Sequence, residues 1–121
     1  MDTKELGNFG EALACGYLVK NGYKILGRNC DFGFGEIDIV AKKKGLFSDK
    51  TIHFVEVKTL SSKGPLSPEE KVNYKKQNKY KRLVEAWMEK NKYPQDFPCQ
   101  VDVVAIAGDD MEFFENIISD N

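Results

Sequence analysis

Two short segments of this chain alternate between apolar and polar residues, and they constrain its fold more than any other feature. The first, residues 36–41, places Ile37, Ile39 and Ala41 on one predicted face and Glu36, Asp38 and Val40 on the other. The second, residues 51–59, places Phe54, Glu56 and Lys58 on one face. Alternation with a period of two predicts β-strands. A strand packed between helices does not carry charge on an inner face unless that charge is compensated.

Helices are predicted on either side of these strands. Residues 3–20 carry apolar side chains at three- and four-residue spacing after a capping box at Asp2–Glu5, and Gly22 is a left-handed C-cap. A serine, a proline and a glutamate at residues 67–70 begin a second helix, which runs to about residue 91.

Further strands are predicted at residues 23–28, 100–107 and 112–118, the last two joined by a turn at residues 108–110. The order helix, three strands, helix, strand, strand predicts an α/β fold, a mixed sheet flanked by helices. We expect a single domain over residues 1–121, with a core over about residues 3–107 and a C-terminal hairpin strand over residues 108–121.

The composition is that of a globular protein. The chain has 121 residues, of which 41% are hydrophobic and 31% charged, and no apolar run approaches the length of a membrane span. Its start enters a helix pattern without a signal-peptide stretch, so we expect a cytoplasmic protein with no membrane partner. Three widely spaced cysteines and one histidine provide no zinc-binding pattern.

Charge is distributed unevenly along the chain. Residues 42–92 carry fourteen basic and six acidic side chains, whereas residues 93–121 carry seven acidic and no basic ones. A basic middle region is typical of a surface that binds a polyanion, and it is equally typical of a solvated helix face. Charge alone leaves both interpretations open.

If the two alternating strands pair in register, Asp38, Glu56 and Lys58 converge on one small patch. Two carboxylates and the intervening carbonyl of Val57 form a hard-oxygen site that suits Mg²⁺ or Mn²⁺. A lysine beside such a site can orient or deprotonate an attacking water while the metal holds a phosphate. The alternative is a cross-strand ion pair on the surface, which is common in a chain this rich in charge.

Two other polar residues in predicted strands are expected to be structural. His53 alternates to the face opposite Glu56, which argues against a catalytic role. Asp102 lies in a strand of valines, where a hydrogen-bonded carboxylate is expected.

Five ordered motifs, within residues 7–12, 34–40, 54–59, 72–79 and 101–104, resemble the YraN-like family. This family of small bacterial proteins is placed in the restriction-endonuclease-like PD-(D/E)XK nuclease superfamily, and it is similar to archaeal Holliday-junction resolvases. The resemblance covers roughly residues 5–107. It implies an αβββαβ nuclease core and a Mg²⁺- or Mn²⁺-dependent endonuclease that acts on branched or duplex DNA.

Carried over by position, the resemblance makes Asp38 and Glu56 metal ligands and Lys58 the catalytic lysine. Glu11 completes or orients the acidic site, and Gln77 lies near the lysine on the following helix. The positions that are commonly arginine in the family are Asp31, Gly33, Leu60 and Gln100 here. The basic residues expected to contact phosphates in their place are Lys71, Lys75, Lys76, Lys79, Lys81 and Arg82.

A second hypothesis follows from the absent arginines and the acidic C-terminal region. The chain then binds nucleic acid or a protein partner without cleaving anything. Either function is compatible with a homodimer, for which Phe113, Phe114, Ile117 and Ile118 would supply an apolar edge.

Overall fold

The computed structural model describes residues 3–45, 47, 49–60 and 78–118. Their elements are α1 (Thr3–Lys20), β1 (Tyr23–Asp31), β2 (Glu36–Lys43), β3 (Ile52–Leu60), α2 (Asn78–Lys90), β4 (Cys99–Ala107) and β5 (Asp110–Ile118). The predicted order of helices and strands is confirmed. Residues 67–77, where the second helix was predicted to begin, lie outside the described residues.

The five strands of the described residues form one mixed sheet in the order β1-β2-β3-β4-β5. All neighbouring strands are antiparallel except β3 and β4, which run parallel. A parallel pair needs a long crossover, and α2 lies in the segment that provides it. The turn between β4 and β5 consists of Gly108 and Asp109.

The sheet is covered on both faces. Side chains of α2, including Trp87 and Met88, pack against Phe54 and Val103 on one face, which we call the α2 side. Ala14 and Leu18 of α1 pack on the other face, the α1 side, against the strand residues Tyr23, Ile39, Val55 and Val104. Consecutive residues such as Val103 and Val104 therefore enter different cores, as strand geometry requires.

The predicted alternation of β2 is wrong at one point. Ile37 belongs to the α2-side core together with Val40, whereas Ile39 and Ala41 belong to the α1-side core. The side-chain period of two is therefore interrupted at Asp38. The prediction for β3 is confirmed, because Phe54 packs on the α2 side and Val55 and Val57 on the α1 side.

The first strand is longer than predicted and irregular. β1 continues through Asp31, with a register shift between Ile25 and Gly27, and Asn29 adopts a φ of 49°. The turn after it contains Gly33, with a φ of 87°, whose N–H donates to the Asp31 side chain. Neither α1 nor the described part of α2 is long and apolar enough to cross a membrane.

Candidate functional site

The centre of the candidate site is the point at which β2 and β3 separate. Their ladder pairs Ala41 with His53 and ends at Ile39 and Val55. Continuing this register by one residue sets Asp38 opposite Glu56. Instead of a backbone bond, the Asp38 carboxylate accepts a hydrogen bond of 2.9 Å from the N–H of Val57.

This hydrogen bond also orients the Val57 carbonyl. The N–H and C=O of one strand residue point to the same side of the strand, so the carbonyl of Val57 points toward the gap that Asp38 occupies. Burial raises the pKa of Asp38, the Val57 N–H opposes that shift, and the Glu36 carboxylate adds to it.

Among the described residues, Glu56 is the carboxylate whose pKa is raised most by its surroundings. Burial, followed by the negative charge of Asp38, raises its pKa to about 7, while Lys58 acts in the opposite direction. One of its oxygens, Oε2, is buried and has no hydrogen-bond partner. An unpartnered carboxylate oxygen beside a second carboxylate is costly unless a proton or a cation compensates it.

Glu11 reaches the site from the helix α1. The preceding residue is Gly10, and a Cβ atom there would lie 2.5 Å from Cγ2 of Thr59 in β3. The missing side chain therefore lets α1 approach β3 closely at this turn. Glu11 is buried, and its pKa is raised first by burial and then by Asp38, with Arg28 opposing the shift and Glu36 adding to it.

Asn29 is a residue of this site that the sequence analysis missed. With its amide nitrogen facing the carboxylate, it donates hydrogen bonds to both oxygens of Glu11, at 2.8 and 3.0 Å. The β1–β2 register, which pairs Arg28 with Ile39 and Cys30 with Ile37, also sets Asn29 opposite Asp38. In the sequence, Asn29 could be noticed only as an asparagine, a residue type that tolerates a left-handed backbone conformation.

The donor set fits a divalent cation. Asp38, Glu56 and the Val57 carbonyl supply hard oxygen donors, which Mg²⁺ and Mn²⁺ prefer, and the buried Oε2 of Glu56 lacks a partner that a cation would provide. Within the described residues, no three side chains of the types His, Cys, Asp and Glu are grouped so as to hold a metal ion. A cation here therefore relies on the backbone carbonyl, water or substrate for its remaining ligands.

The predicted site residues have different outcomes. Glu11, Asp38, Glu56 and Lys58 interact electrostatically around the gap between β2 and β3. Gln77, Lys71, Lys75 and Lys76 lie outside the described residues, and only the backbone of Lys79 is described, in the first turn of α2. Arg82 and Lys81 are exposed on α2.

Arg82 lies at the same end of the sheet as the carboxylates. Its guanidinium is 4.4 Å from the ring centre of Phe34, in the turn that leads into β2.

Asp102 and His53 form a separate buried network on the α1 side. The carboxylate of Asp102 lies 2.6 Å from Nδ1 of His53 and accepts hydrogen bonds from the Gln100 side chain and the Asn116 N–H. This network joins β3, β4 and β5, as expected for a structural acid. His53 also stacks edge-on against Tyr23 of the α1-side core, on the face opposite Glu56.

Comparison with known proteins identifies one family. Residues 10–106 match the Uncharacterised protein family UPF0102. The chain is 43% identical to a UPF0102 protein of Caldicellulosiruptor bescii over 88% of its own length and 85% of that protein. It is 40% identical to one of Campylobacter jejuni, covering 92% and 91% of the two chains, and 44% identical to one of Thermodesulfovibrio yellowstonii, covering 93% and 94%.

Proposed function

The chain belongs to the uncharacterised protein family UPF0102, and we propose that it is a metal-dependent DNA endonuclease with a restriction-endonuclease-like core. The observation that carries the proposal is the buried, unpartnered Oε2 atom of Glu56. It lies beside Asp38 on a neighbouring strand, and Lys58 follows two residues later on the same face. This combination suits phosphodiester hydrolysis better than it suits a surface ion pair, because the carboxylate oxygens of a surface ion pair are bonded to the partner or to water.

In the proposed mechanism, Asp38, Glu56 and the Val57 carbonyl would hold a cation at the gap between β2 and β3. When bound, the cation supplies Lewis-acid stabilisation of the phosphoryl oxygens. The N–H of Val57 fixes the Asp38 carboxylate, so one ligand is oriented before any ion or substrate arrives.

Lys58 has the role of positioning the nucleophile. Its ammonium group is on the same strand face as the Glu56 carboxylate and attracts it, so a water held between the two groups is within reach of both. As this water attacks phosphorus, it releases a proton to the solvent and the P–O bond to the leaving sugar oxygen breaks. That oxygen then takes up a proton from the solvent. Nζ of Lys58 holds the water and stabilises the negative charge that develops on the phosphate.

Glu11 and Asn29 support the same arrangement from α1 and β1. The two hydrogen bonds from the Asn29 amide fix the Glu11 carboxylate. A carboxylate fixed near Asp38 adds to the negative potential that attracts a divalent cation. Arg82, which packs on Phe34 at this end of the sheet, is a candidate contact to the DNA backbone.

The second candidate is a nucleic-acid- or protein-binding module that keeps a nuclease-like fold without cleavage. What favours it is that the described residues contain no group of three His, Cys, Asp or Glu side chains suited to a metal ion. It predicts that DNA is retained and no product forms at any enzyme concentration.

Substitution of the lysine tests the proposed mechanism. Lys58→Ala should lower the single-turnover rate of DNA cleavage in Mg²⁺ or Mn²⁺ by about two to four orders of magnitude, with little change in DNA affinity. Lys4→Ala, which removes an exposed lysine from α1, is the matched control and should cleave at the unaltered rate. Equal cleavage by Lys58→Ala and Lys4→Ala would contradict the mechanism.

A further inference from the structure

Five lysines line a cleft at the far end of β2 from the carboxylates. The cleft has a volume of about 190 Å³ and is lined by Lys24, Lys42, Lys43, Lys44 and Lys50, with Gly45 and Asp49. Among the described residues of this lining, Asp49 is the one acid, and its carboxylate is attracted by Lys43. We call this surface the lysine cleft. None of its residues belongs to the basic stretch from which DNA contacts were predicted.

The pairing of β1 with β2 brings two of these charges face to face. Lys24 is directly opposite Lys42 in the register, and like charges at directly opposed positions destabilise a sheet. Lys43 and Lys44 follow immediately in the chain. An anionic ligand would offset this repulsion, and a polyanion with regularly spaced charges would offset it at several lysines at once.

The loop between β2 and β3, from which Gly45, Asp49 and Lys50 line the cleft, also carries an exposed aromatic ring. Phe47, between Lys44 and Lys50, has 97% of its surface exposed. Phosphate groups of a ligand would bind the lysines, but they would not bind the aromatic ring of Phe47. Unpaired nucleobases stack on aromatic side chains beside a basic groove, whereas a continuous duplex presents no free base face.

A membrane surface suits the same features less well. Stable attachment to anionic lipid needs a substantial apolar area in addition to basic charge, and the described residues of this loop supply one ring. A nucleic acid is also the substrate to which the proposed active site is suited. Lys43 is five residues from Asp38 on β2, which corresponds to about 17 Å at a rise of ~3.3 Å per residue. This distance equals about five base steps along a nucleic acid, so one strand can span the cleft and the acidic site.

We propose that Lys24, Lys42 and Lys44 bind backbone phosphates and that Phe47 stacks on an unpaired base of the same nucleic acid. The chain then prefers nucleic acid that is at least partly single-stranded. This inference rests on the proposed function for its substrate class, and it adds the structural feature by which that substrate is selected.

The test measures binding without cleavage, by fluorescence anisotropy in EDTA with labelled single-stranded DNA, duplex DNA and a duplex with a single-stranded tail. Lys24→Ala/Lys42→Ala should weaken binding to all three and reduce the slope of log K against log salt by about 1.5. The matched control is Lys4→Ala/Lys92→Asn. It removes the same charge elsewhere, and asparagine tolerates the φ of 61° at residue 92. Equal effects of the two double variants would overturn the lysine assignment.

Phe47 is tested separately. Phe47→Ala should weaken binding to single-stranded and tailed DNA by about fivefold or more and leave duplex binding unchanged. Phe47→Trp should retain the wild-type affinity, and single-stranded DNA should quench its added fluorescence. If Phe47→Ala leaves the preference for single-stranded DNA intact, the stacking assignment is wrong.

Three further outcomes separate this inference from others. Vesicles of equimolar phosphatidylserine and phosphatidylcholine that bind more tightly than DNA, and lose binding in the same variants, would overturn it in favour of a lipid surface. A chain that shows the expected binding changes but never cleaves DNA would contradict the proposed function alone. A chain that cleaves, yet whose cleft variants bind normally, would contradict this inference alone.

Discussion

Asn29 is the residue whose backbone and side chain together explain how Glu11 is held. Its φ of 49° interrupts a strand, in a conformation that asparagine tolerates better than most residues, and its amide reaches both oxygens of the Glu11 carboxylate. Backbone strain that is retained at a cluster of perturbed carboxylates favours a functional role for the residue.

Asn29→Gly separates the two contributions of this residue. Glycine adopts the same backbone conformation readily, so we expect only a small change in melting temperature. The loss of the amide should lower the rate of metal-dependent cleavage by about tenfold or more. Cleavage at the wild-type rate by a folded Asn29→Gly variant would show that the amide does not support the site.

The pKa of Glu56 gives the metal-free protein a defined pH dependence. Because this pKa is raised from 4.5 to about 7, the folded state binds a proton between these values that the unfolded state has lost. The contribution of Glu56 to stability is therefore fully present below pH 4.5 and is lost as the pH rises through about 7.

Glu56→Gln should remove this loss, because glutamine stays neutral. Relative to wild type, the free energy of unfolding of the variant should rise between pH 5 and pH 8.5, by on the order of 3 kcal/mol. Urea denaturation in EDTA at several pH values measures it. Parallel stability curves for the two proteins would contradict the raised pKa.

At the level of residues, the sequence was enough to identify the charged side chains of the candidate site. It was not enough to identify contacts between residues that are distant in the sequence. Strand alternation was enough to place Glu56 and Lys58 on one face. The partnership of Asn29 with Glu11 depends on how α1 crosses β1. The pairing of His53 with Asp102 joins residues 49 apart in the sequence and depends on the parallel register of β3 and β4.

Among the elements, α1 contains three glycines, and two of them, Gly10 and Gly16, have opposite surroundings. A Cβ at Gly10 would lie 2.5 Å from Cγ2 of Thr59, whereas a Cβ at Gly16 would have no atom within 4 Å. The side chain of a threonine in a strand has few alternative rotamers, so a Cβ atom added at residue 10 would force the helix and the sheet apart.

Gly10→Ala should therefore destabilise the fold by about 1–3 kcal/mol, although alanine is the better helix former. It should also reduce cleavage, because Glu11 moves with the helix. Gly16→Ala is the matched control, and it should stabilise the protein by about 0.5–1 kcal/mol with unchanged activity. Thermal and urea denaturation of both variants provide the comparison. Similar stabilisation by the two substitutions would show that α1 does not approach β3 as described.

Element order and most element bounds were predictable, because apolar periodicity and caps are local signals. The predicted helix over residues 3–20 coincides with α1 (Thr3–Lys20). The break at Asp38 was not predictable from alternation, because it arises when the carboxylate takes the Val57 N–H in place of a ladder bond. The register that sets Asp38 opposite Glu56 likewise required the structure, since a slip of one residue reverses every side chain.

For the molecule as a whole, the distribution of charge and apolar surface bears on its partners. The homodimer remains a prediction. Phe113, Phe114 and Ile117, on which it partly depended, pack against the cores of their own chain. The lysine cleft adds a basic surface at the end of β2 away from the acidic site. With the charges separated in this way, the lysine cleft can bind a polyanion while the carboxylates of the acidic site bind a cation.

Whether this chain is a metal-dependent nuclease is tested by comparing the cleavage of labelled DNA by wild type and Glu56→Gln. The substrates are duplex, single-stranded, flap and four-way-junction DNA, each with Mg²⁺, with Mn²⁺ and with EDTA. We expect cleavage by wild type that requires the metal and is lost in Glu56→Gln, while both proteins bind the DNA. Cleavage that persists in EDTA or in Glu56→Gln, or DNA bound by wild type with no cleavage of any substrate, would contradict it.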